Sequence, residues 1–214
     1  MKNSMKAAIF DMDGTLLDSM GCWRRLNSAF VRAMGIEPTP EEEQEMYTMS
    51  GMMVISYFKD KYGIESDFAT LCEKACEQME PIYASGVPLK PGAADYLRRL
   101  RERGVKCVIA TATPARLALI ALNRTNLVKD LDFIFSIDMI GRQKSDPEFF
   151  DRLCALIGEK REDCVMFEDS LYAMQGARAA GLGVIGITDD TNAADRESIR
   201  AACDRLIDSF DELA

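Results

Sequence analysis

What most constrains the fold of this chain is an alternation that begins near residue 88 and continues as far as residue 187. Helical spacing over 91–103, 114–122, 147–157 and 171–180 separates short apolar runs at 105–110, 133–135, 164–167 and 183–187. Runs this short, with no polar residue in alternation, suit strands buried on both faces. Their repetition between helices predicts a parallel sheet with helical crossovers. One more run, Ala7-Ala8-Ile9-Phe10, stands apart near the amino end.

Residues 17–87 break this rhythm. They show helical spacing, turn signals at Gly35, Pro38, Pro40, Gly51 and Gly63, and no strand pattern. Trp23, Leu26, Phe30 and Met34 fall on one helical stripe. Pro40-Glu41-Glu42-Glu43 reads as a helix start with acids at the favourable end of the dipole, and 41–45 reads as a solvated face. The predicted division is therefore a core of residues 1–16 and 88–214 carrying an inserted helical domain, residues 17–87. Linkers are expected near Leu17-Asp18 and Ser85-Gly86-Val87-Pro88.

In an open parallel sheet, ligands bind beyond the carboxyl ends of the strands, so residues that follow the apolar runs are the candidates for chemistry. After 7–10 comes Asp11-Met12-Asp13-Gly14-Thr15. One carboxylate there can attack phosphorus and a second on the same loop can move a proton, while both help to hold a hard cation. Taken alone, the pair reads equally as a helix-capping turn. After 105–110 comes Thr111, whose hydroxyl suits a phosphoryl oxygen. The same Thr111-Ala112-Thr113-Pro114 also reads as a helix start with Thr113 as N-cap. Lys144, in the polar loop Gly141-Arg142-Gln143-Lys144-Ser145-Asp146-Pro147, offers an ammonium to phosphate, although a lone loop lysine is ordinarily solvated. After 164–167 come Glu168-Asp169-Ser170. Buried carboxylates at that point need a cation or hydrogen-bond donors, and as an isolated pair they could equally cap the next helix.

The string Asp11-Met12-Asp13-Gly14-Thr15-Leu16-Leu17-Asp18-Ser19 resembles the first motif of the haloacid dehalogenase-like (HAD) superfamily, in its phosphatase and β-phosphoglucomutase-like branch with a helical C1 cap. Thr111, Lys144 and Glu168-Asp169 follow in the order and spacing of the remaining motifs. Gln175-Gly176-Ala177-Arg178-Ala179-Ala180-Gly181 resembles the extension of the last one. The resemblance implies an α/β, Rossmann-like core with a parallel sheet flanked by helices, plus an inserted α-helical cap. It makes Asp11 the nucleophile, Asp13 the general acid and base, Thr111 the phosphoryl-binding hydroxyl and Lys144 the charge-balancing lysine. It also implies a Mg²⁺ site of Asp11, Asp169, the backbone carbonyl of Asp13, and Glu168 directly or through water. Asp13 fits phosphoryl transfer, because true dehalogenases of the family lack this acid. Lys144-Ser145-Asp146-Pro147 departs from the commoner lysine-proline pattern, with its geometry expected to survive.

The expected function is Mg²⁺-dependent hydrolysis of a small phosphorylated metabolite through an aspartyl-phosphate. A sugar phosphomutase is the alternative. It is weakened by a chain without histidine, in which Trp23 stands about where such mutases carry a cap histidine. A noncatalytic HAD-like binding protein is the alternative of another class, opposed by the intact set of acids, hydroxyl and lysine. The resemblance places specificity in the cap, where Trp23, Arg24, Asn27 and the loop Ser50-Gly51-Met52-Met53 are the candidates; Trp23 and the methionines read equally as core. Met52 and Met53 occupy a region where sugar-phosphate enzymes of this family present polar or basic groups, so a phosphosugar is one candidate substrate among others.

Charge and hydropathy exclude other classes. With 26 basic against 35 acidic residues, the net charge of −9 opposes nucleic acid and anionic membrane. No apolar run approaches the ~20 residues that cross a bilayer, and residues 1–6 lack a signal peptide's apolar segment, so a cytoplasmic monomer is expected. Seven cysteines in such a setting read as reduced thiols. Cys72 and Cys76, four apart, are expected to pack rather than bind zinc, since neither histidine nor a second cysteine pair accompanies them. Gly181-Leu182-Gly183-Val184-Ile185-Gly186 runs from helix into strand, the reverse of a dinucleotide-binding turn. The acceptor-like Asn123-Arg124-Thr125 carries no function in a cytoplasmic chain.

Overall fold

The computed structural model describes residues 5–46, 49 and 51–213; Ser50 of the expected specificity loop and Met1-Lys2-Asn3-Ser4 of the amino-terminal stretch lie outside the described residues. Strand β1 (Ala7–Phe10) is followed by four helices, α1 (Met20–Ala33), α2 (Pro40–Glu45), α3 (Gly51–Tyr62) and α4 (Phe68–Ser85). Helix α5 (Ala93–Glu102) then leads into β2 (Lys106–Thr111), α6 (Ala115–Arg124), β3 (Phe133–Ser136), α7 (Ile137–Ile140) and α8 (Pro147–Ile157). The chain closes with β4 (Cys164–Glu168), α9 (Leu171–Ala179), β5 (Gly183–Ile187), α10 (Arg196–Ala202) and β6 (Arg205–Ile207).

The strands form one parallel sheet in the order β3-β2-β1-β4-β5-β6. Strand β1 lies between β2 and β4, with Phe10 in register with Ile109 on one side and Phe167 on the other. Side chains alternate across the sheet with a period of two. Ala8, Phe10 and Ile109 enter the apolar layer under α5 and α6, and Ala7, Ile9 and Val108 enter the layer under α8 and α9. Phe10 stacks on Phe167 with centroids 4.5 Å apart, and Tyr96 and Phe210 complete that aromatic cluster.

The edges depart from the expectation of strands buried on both faces. Phe133 on β3 is 43% exposed, because nothing flanks the sheet beyond it. Strand β6 has no apolar run to announce it: Arg205 begins it, and pairing with β5 rather than local pattern makes it a strand.

Helices α1 to α4 build small apolar clusters of their own, one around Phe30, Ile55 and Leu71, another around Val31, Val54 and Phe58. Of the expected α1 stripe, Leu26 and Phe30 are buried while Trp23 and Met34 are half-buried. Gly51, expected in a turn, instead opens α3, with Met52 and Met53 in its first turn. Its small size is explained by packing, since a Cβ there would lie 3.1 Å from the Trp23 ring. The chain's two passages between the helices and the sheet run side by side: the Asp18 N–H donates to the Pro88 carbonyl at 2.9 Å, and the Lys90 N–H donates to the Leu16 carbonyl at 2.9 Å. None of the described helices is long and apolar enough to cross a membrane.

Glu42 corrects the reading of 41–45 as wholly solvated. Thr39 and Glu42 form a capping box at the start of α2, and the Glu42 side chain is only 4% exposed. Its carboxylate pairs with Lys61 at 2.8 Å and accepts the Thr39 N–H and the Tyr62 hydroxyl, each at 2.7 Å. Lys61 first, then Thr39 and Tyr62, hold this carboxyl down at about 2. A depressed folded-state value stabilises fully above the unfolded glutamate range of ~4.3 and progressively less as pH falls toward 2. Glu42→Gln is therefore expected to lower Tm at pH 7, with the difference from the native chain narrowing between pH ~4.3 and ~2. Thermal melts across that range check this, and a pH-independent difference would refute it.

Candidate active site

The register of the central strands brings the candidate residues to one edge of the sheet. Thr111 and Glu168 are the last residues of β2 and β4, and Asp11 directly follows β1. Asp169 follows Glu168, and all four side chains are buried. Two glycines permit the close approach. Gly14 has φ +82°, and a Cβ on it would collide with the Asp169 carboxylate. Gly176 on α9 faces the loop before α8, where a Cβ would collide with the Lys144 carbonyl.

That loop carries Lys144 inward. A solvated loop lysine is the ordinary case, yet Lys144 is 1% exposed and donates to Asp11 Oδ1 at 2.5 Å and Glu168 Oε2 at 2.7 Å. The departure from lysine-proline is absorbed locally: Asp146 caps α8 by accepting the Glu148 N–H at 2.9 Å, with Pro147 as the first helical residue.

Asp11, Glu168 and Asp169 each offer an oxygen within 4.8 Å of the others. Three buried carboxylates against one ammonium leave an excess of negative charge. Burial first, and then Glu168, push the Asp11 carboxyl up to about 8. Burial and the same neighbours raise Asp169 well above the usual range. Burial works against the charged form of Lys144, but Asp11 and Glu168 outweigh it and hold the ammonium protonated. Glu168 is already satisfied, with Oε2 on Lys144 and Oε1 accepting the N–H groups of Asp169 and Ser170 at 3.2 and 3.1 Å. An all-oxygen donor set with excess negative charge suits a hard divalent cation, which would relieve the repulsion that burial enforces.

Asp13 is placed differently. Its carboxylate lies outside the acidic cluster and is held by hydroxyls: Ser19 and Tyr83 each donate to Oδ1 at 2.6 Å, and Thr113 donates to Oδ2 at 2.7 Å. Tyr83, on α4, in turn accepts the Trp23 indole N–H at 3.1 Å. Burial and the Asp13 charge raise the Tyr83 phenol well above its ordinary value, so it stays a donor. Thr113 is therefore not the expected N-cap. Pro114 takes that position without a side-chain bond, because the Thr113 hydroxyl is committed to Asp13. The Thr113 N–H donates to Thr111 Oγ1 at 3.0 Å, which fixes the Thr111 hydroxyl beside the cluster.

A cavity of about 620 Å³ opens from these groups toward the helices. Asp11, Asp13, Thr111 and Lys144 line it from the sheet side, and Trp23, Asn27 and Gly51 line it from the helical side. Arg24, the other candidate for substrate contact, is not in its wall. One position along α1 from Trp23, it is turned aside, and its Nη2 donates to the Thr191 carbonyl at 2.5 Å. Four participants escape a reading of the sequence: Ser19, Tyr83 and Thr113 on Asp13, and Asn192, whose Nδ2 donates to Asp169 Oδ2 at 3.1 Å. Ser19 closes the first motif string and Thr113 stands two residues after Thr111, whereas no pattern marks Tyr83 or Asn192.

Residues 5–181 match the family of haloacid dehalogenase-like hydrolases. The chain is 25% identical over 193 residues to a phosphorylated carbohydrates phosphatase of Thermotoga maritima, covering 88% of this chain and 89% of that protein. It is also similar to the crystal structure of CbbY from Rhodobacter sphaeroides in complex with phosphate, with a TM-score of 0.83, 25% identity, and coverage of 98% of this chain and 96% of that one. A mutant of the same protein in complex with xylulose-(1,5)bisphosphate aligns with the same score, identity and coverage. The family match over most of the chain, on a parallel sheet whose strand ends gather the acids, the hydroxyl and the lysine, makes this protein a haloacid dehalogenase-like hydrolase.

Proposed function

We propose that this hydrolase is a phosphatase that releases inorganic phosphate from a small phosphorylated metabolite, with residues 17–87 acting as a cap over a core of 1–16 and 88–214. The observation that carries the reading is the Lys144 ammonium clamped between Asp11 and Glu168 beside the Thr111 hydroxyl. It combines a restrained carboxylate nucleophile with groups that bind a phosphoryl oxygen.

The phosphoryl group is held by Lys144, Thr111 and loop N–H groups. A carboxylate oxygen of Asp11 attacks phosphorus in line, the ester P–O bond breaks, and Asp13 gives its proton to the departing alkoxide. Asp13 then takes a proton from water. That oxygen attacks the aspartyl-phosphate, the bond to Asp11 breaks, and phosphate leaves. Asp11, Asp169, the Asp13 backbone carbonyl, and Glu168 directly or through water, would hold Mg²⁺, which when bound offsets the repulsion between the Asp11 carboxylate and phosphate. Hydrolysis is favoured over transfer to a second sugar hydroxyl. The chain has no histidine, and the Trp23 indole, a donor only, is already engaged by Tyr83.

Asp11→Asn is expected to lower phosphate release by on the order of 10³-fold or more while leaving the melting temperature unchanged or higher, because it relieves the crowding of three buried carboxyl groups. Phosphate assays beside thermal melts check this, and retained turnover would refute the nucleophile. Mg²⁺ at a hundredfold over its Kd is expected to stabilise the native chain by about 2.7 kcal/mol, roughly 5–10 °C in Tm. Asp169→Asn is expected to melt higher than the native chain without metal and to gain little from Mg²⁺. An equal Mg²⁺ response in both proteins would remove Asp169 from the metal site.

A further inference from the structure

The helical wall of the cavity is apolar. Trp23 comes from α1, Met52 and Ile55 come from α3, and Phe68, Cys72 and Cys76 form one stripe at successive turns of α4. The two cysteines share a face as expected, but that face lines the cavity. Burial pushes the Cys72 thiol up to about 11 and raises Cys76 as well, so both are neutral at pH 7.

Cations are scarce and committed. Among the described residues lining the cavity, Lys144 and Arg116 carry positive charge. Lys144 serves Asp11 and Glu168, and Arg116 pairs with Glu80. Beyond Asp11 and Asp13 at the strand ends, the other charged lining residues, Glu73, Asp138 and Asp195, are acidic too. A substrate with a second phosphate or a carboxylate would therefore meet apolar or like-charged surface. One polar side chain in the helical wall is free to meet a ligand: Asn27, one turn from Trp23, lines the cavity, and its amide makes no hydrogen bond among the described residues. An amide on a cavity wall offers a ligand both a donor and an acceptor.

Resting on the phosphatase reading above, we infer that the substrate is the monophosphate of an uncharged, largely apolar alcohol carrying one group that hydrogen-bonds Asn27, and not a polyol phosphate, a bisphosphate or a phosphorylated acid. The phosphoryl end is read by the charged groups at the strand ends. The body of the ester is desolvated against α1, α3 and α4, and Asn27 fixes its orientation.

The test compares kcat/KM, with Mg²⁺, for esters of primary alcohols: 2-phenylethyl phosphate, its 4-hydroxyphenyl congener, sorbitol 6-phosphate, phosphoglycolate and fructose 1,6-bisphosphate. The two aryl-ethyl esters are expected to exceed the polyol ester by at least about tenfold, and the two esters with a second anionic group to be poorest. The hydroxyl congener is expected to be preferred over its parent, a preference lost in Asn27→Leu. Met52→Lys, which places a cation in the wall at a half-exposed position, is expected to raise the efficiency on phosphoglycolate relative to 2-phenylethyl phosphate. Best turnover of sorbitol 6-phosphate, phosphoglycolate or the bisphosphate would overturn this inference and leave the phosphatase reading standing. No phosphate release from any ester, p-nitrophenyl phosphate included, would overturn both.

Discussion

Three carboxylates buried at the carboxyl ends of adjacent parallel strands, with one buried ammonium between them, form the constraint on which the rest of this structure turns. Taking charges out of water is unfavourable unless opposite charge and hydrogen bonds replace the lost hydration. The sheet meets that demand by register: because β1 pairs with β2 and β4, Asp11 and Glu168 end at one level and Thr111 stands one residue beyond them. Gly14 and Gly176 meet it by smallness, letting the first loop approach Asp169 and helix α9 approach the loop that delivers Lys144.

The residues that carry charge were legible in the sequence because each follows an apolar run or lies in a family motif. Asp11, Thr111, Glu168 and Asp169 could be named from position alone, and Lys144 from its place in the motif order. Their surroundings were not legible. Ser19, Tyr83 and Thr113 converge on Asp13 from three separate parts of the chain, and a hydroxyl bonded across 70 or 100 residues leaves no periodicity behind it. Thr113 shows the competition directly, since the local signal for a helix cap lost to a charged acceptor nearby. Gly51 was mistaken for a turn because glycine reports only that a side chain is unwelcome, not whether backbone conformation or a neighbouring ring is the cause. Arg24 and Asn27 looked equivalent in sequence, and helical geometry sent one to the Thr191 carbonyl and the other into the cavity.

The site thus divides into two ends with different physics. At the strand ends, the proposed grip on the phosphoryl group rests on largely buried charge. Along α1, α3 and α4 the inferred grip on the rest of the substrate rests on apolar area and a single amide. The similarity to CbbY spans both ends in overall shape, but shape at a TM-score of 0.83 leaves the chemistry of the wall free to differ.

The Tyr83 hydroxyl on Asp13 joins the helical segment to the group proposed to move the proton. A hydrogen bond to a charged acceptor contributes about 1.5–3 kcal/mol, a factor of roughly ten to a hundred in an equilibrium. Any withdrawal of α4 from the sheet would break that bond, so the arrangement described here would be favoured over it by this factor, with the orientation of Asp13 tied to it. Access to the cavity and readiness of the proposed acid would then be two readings of one thermodynamic variable, linked through a single phenol.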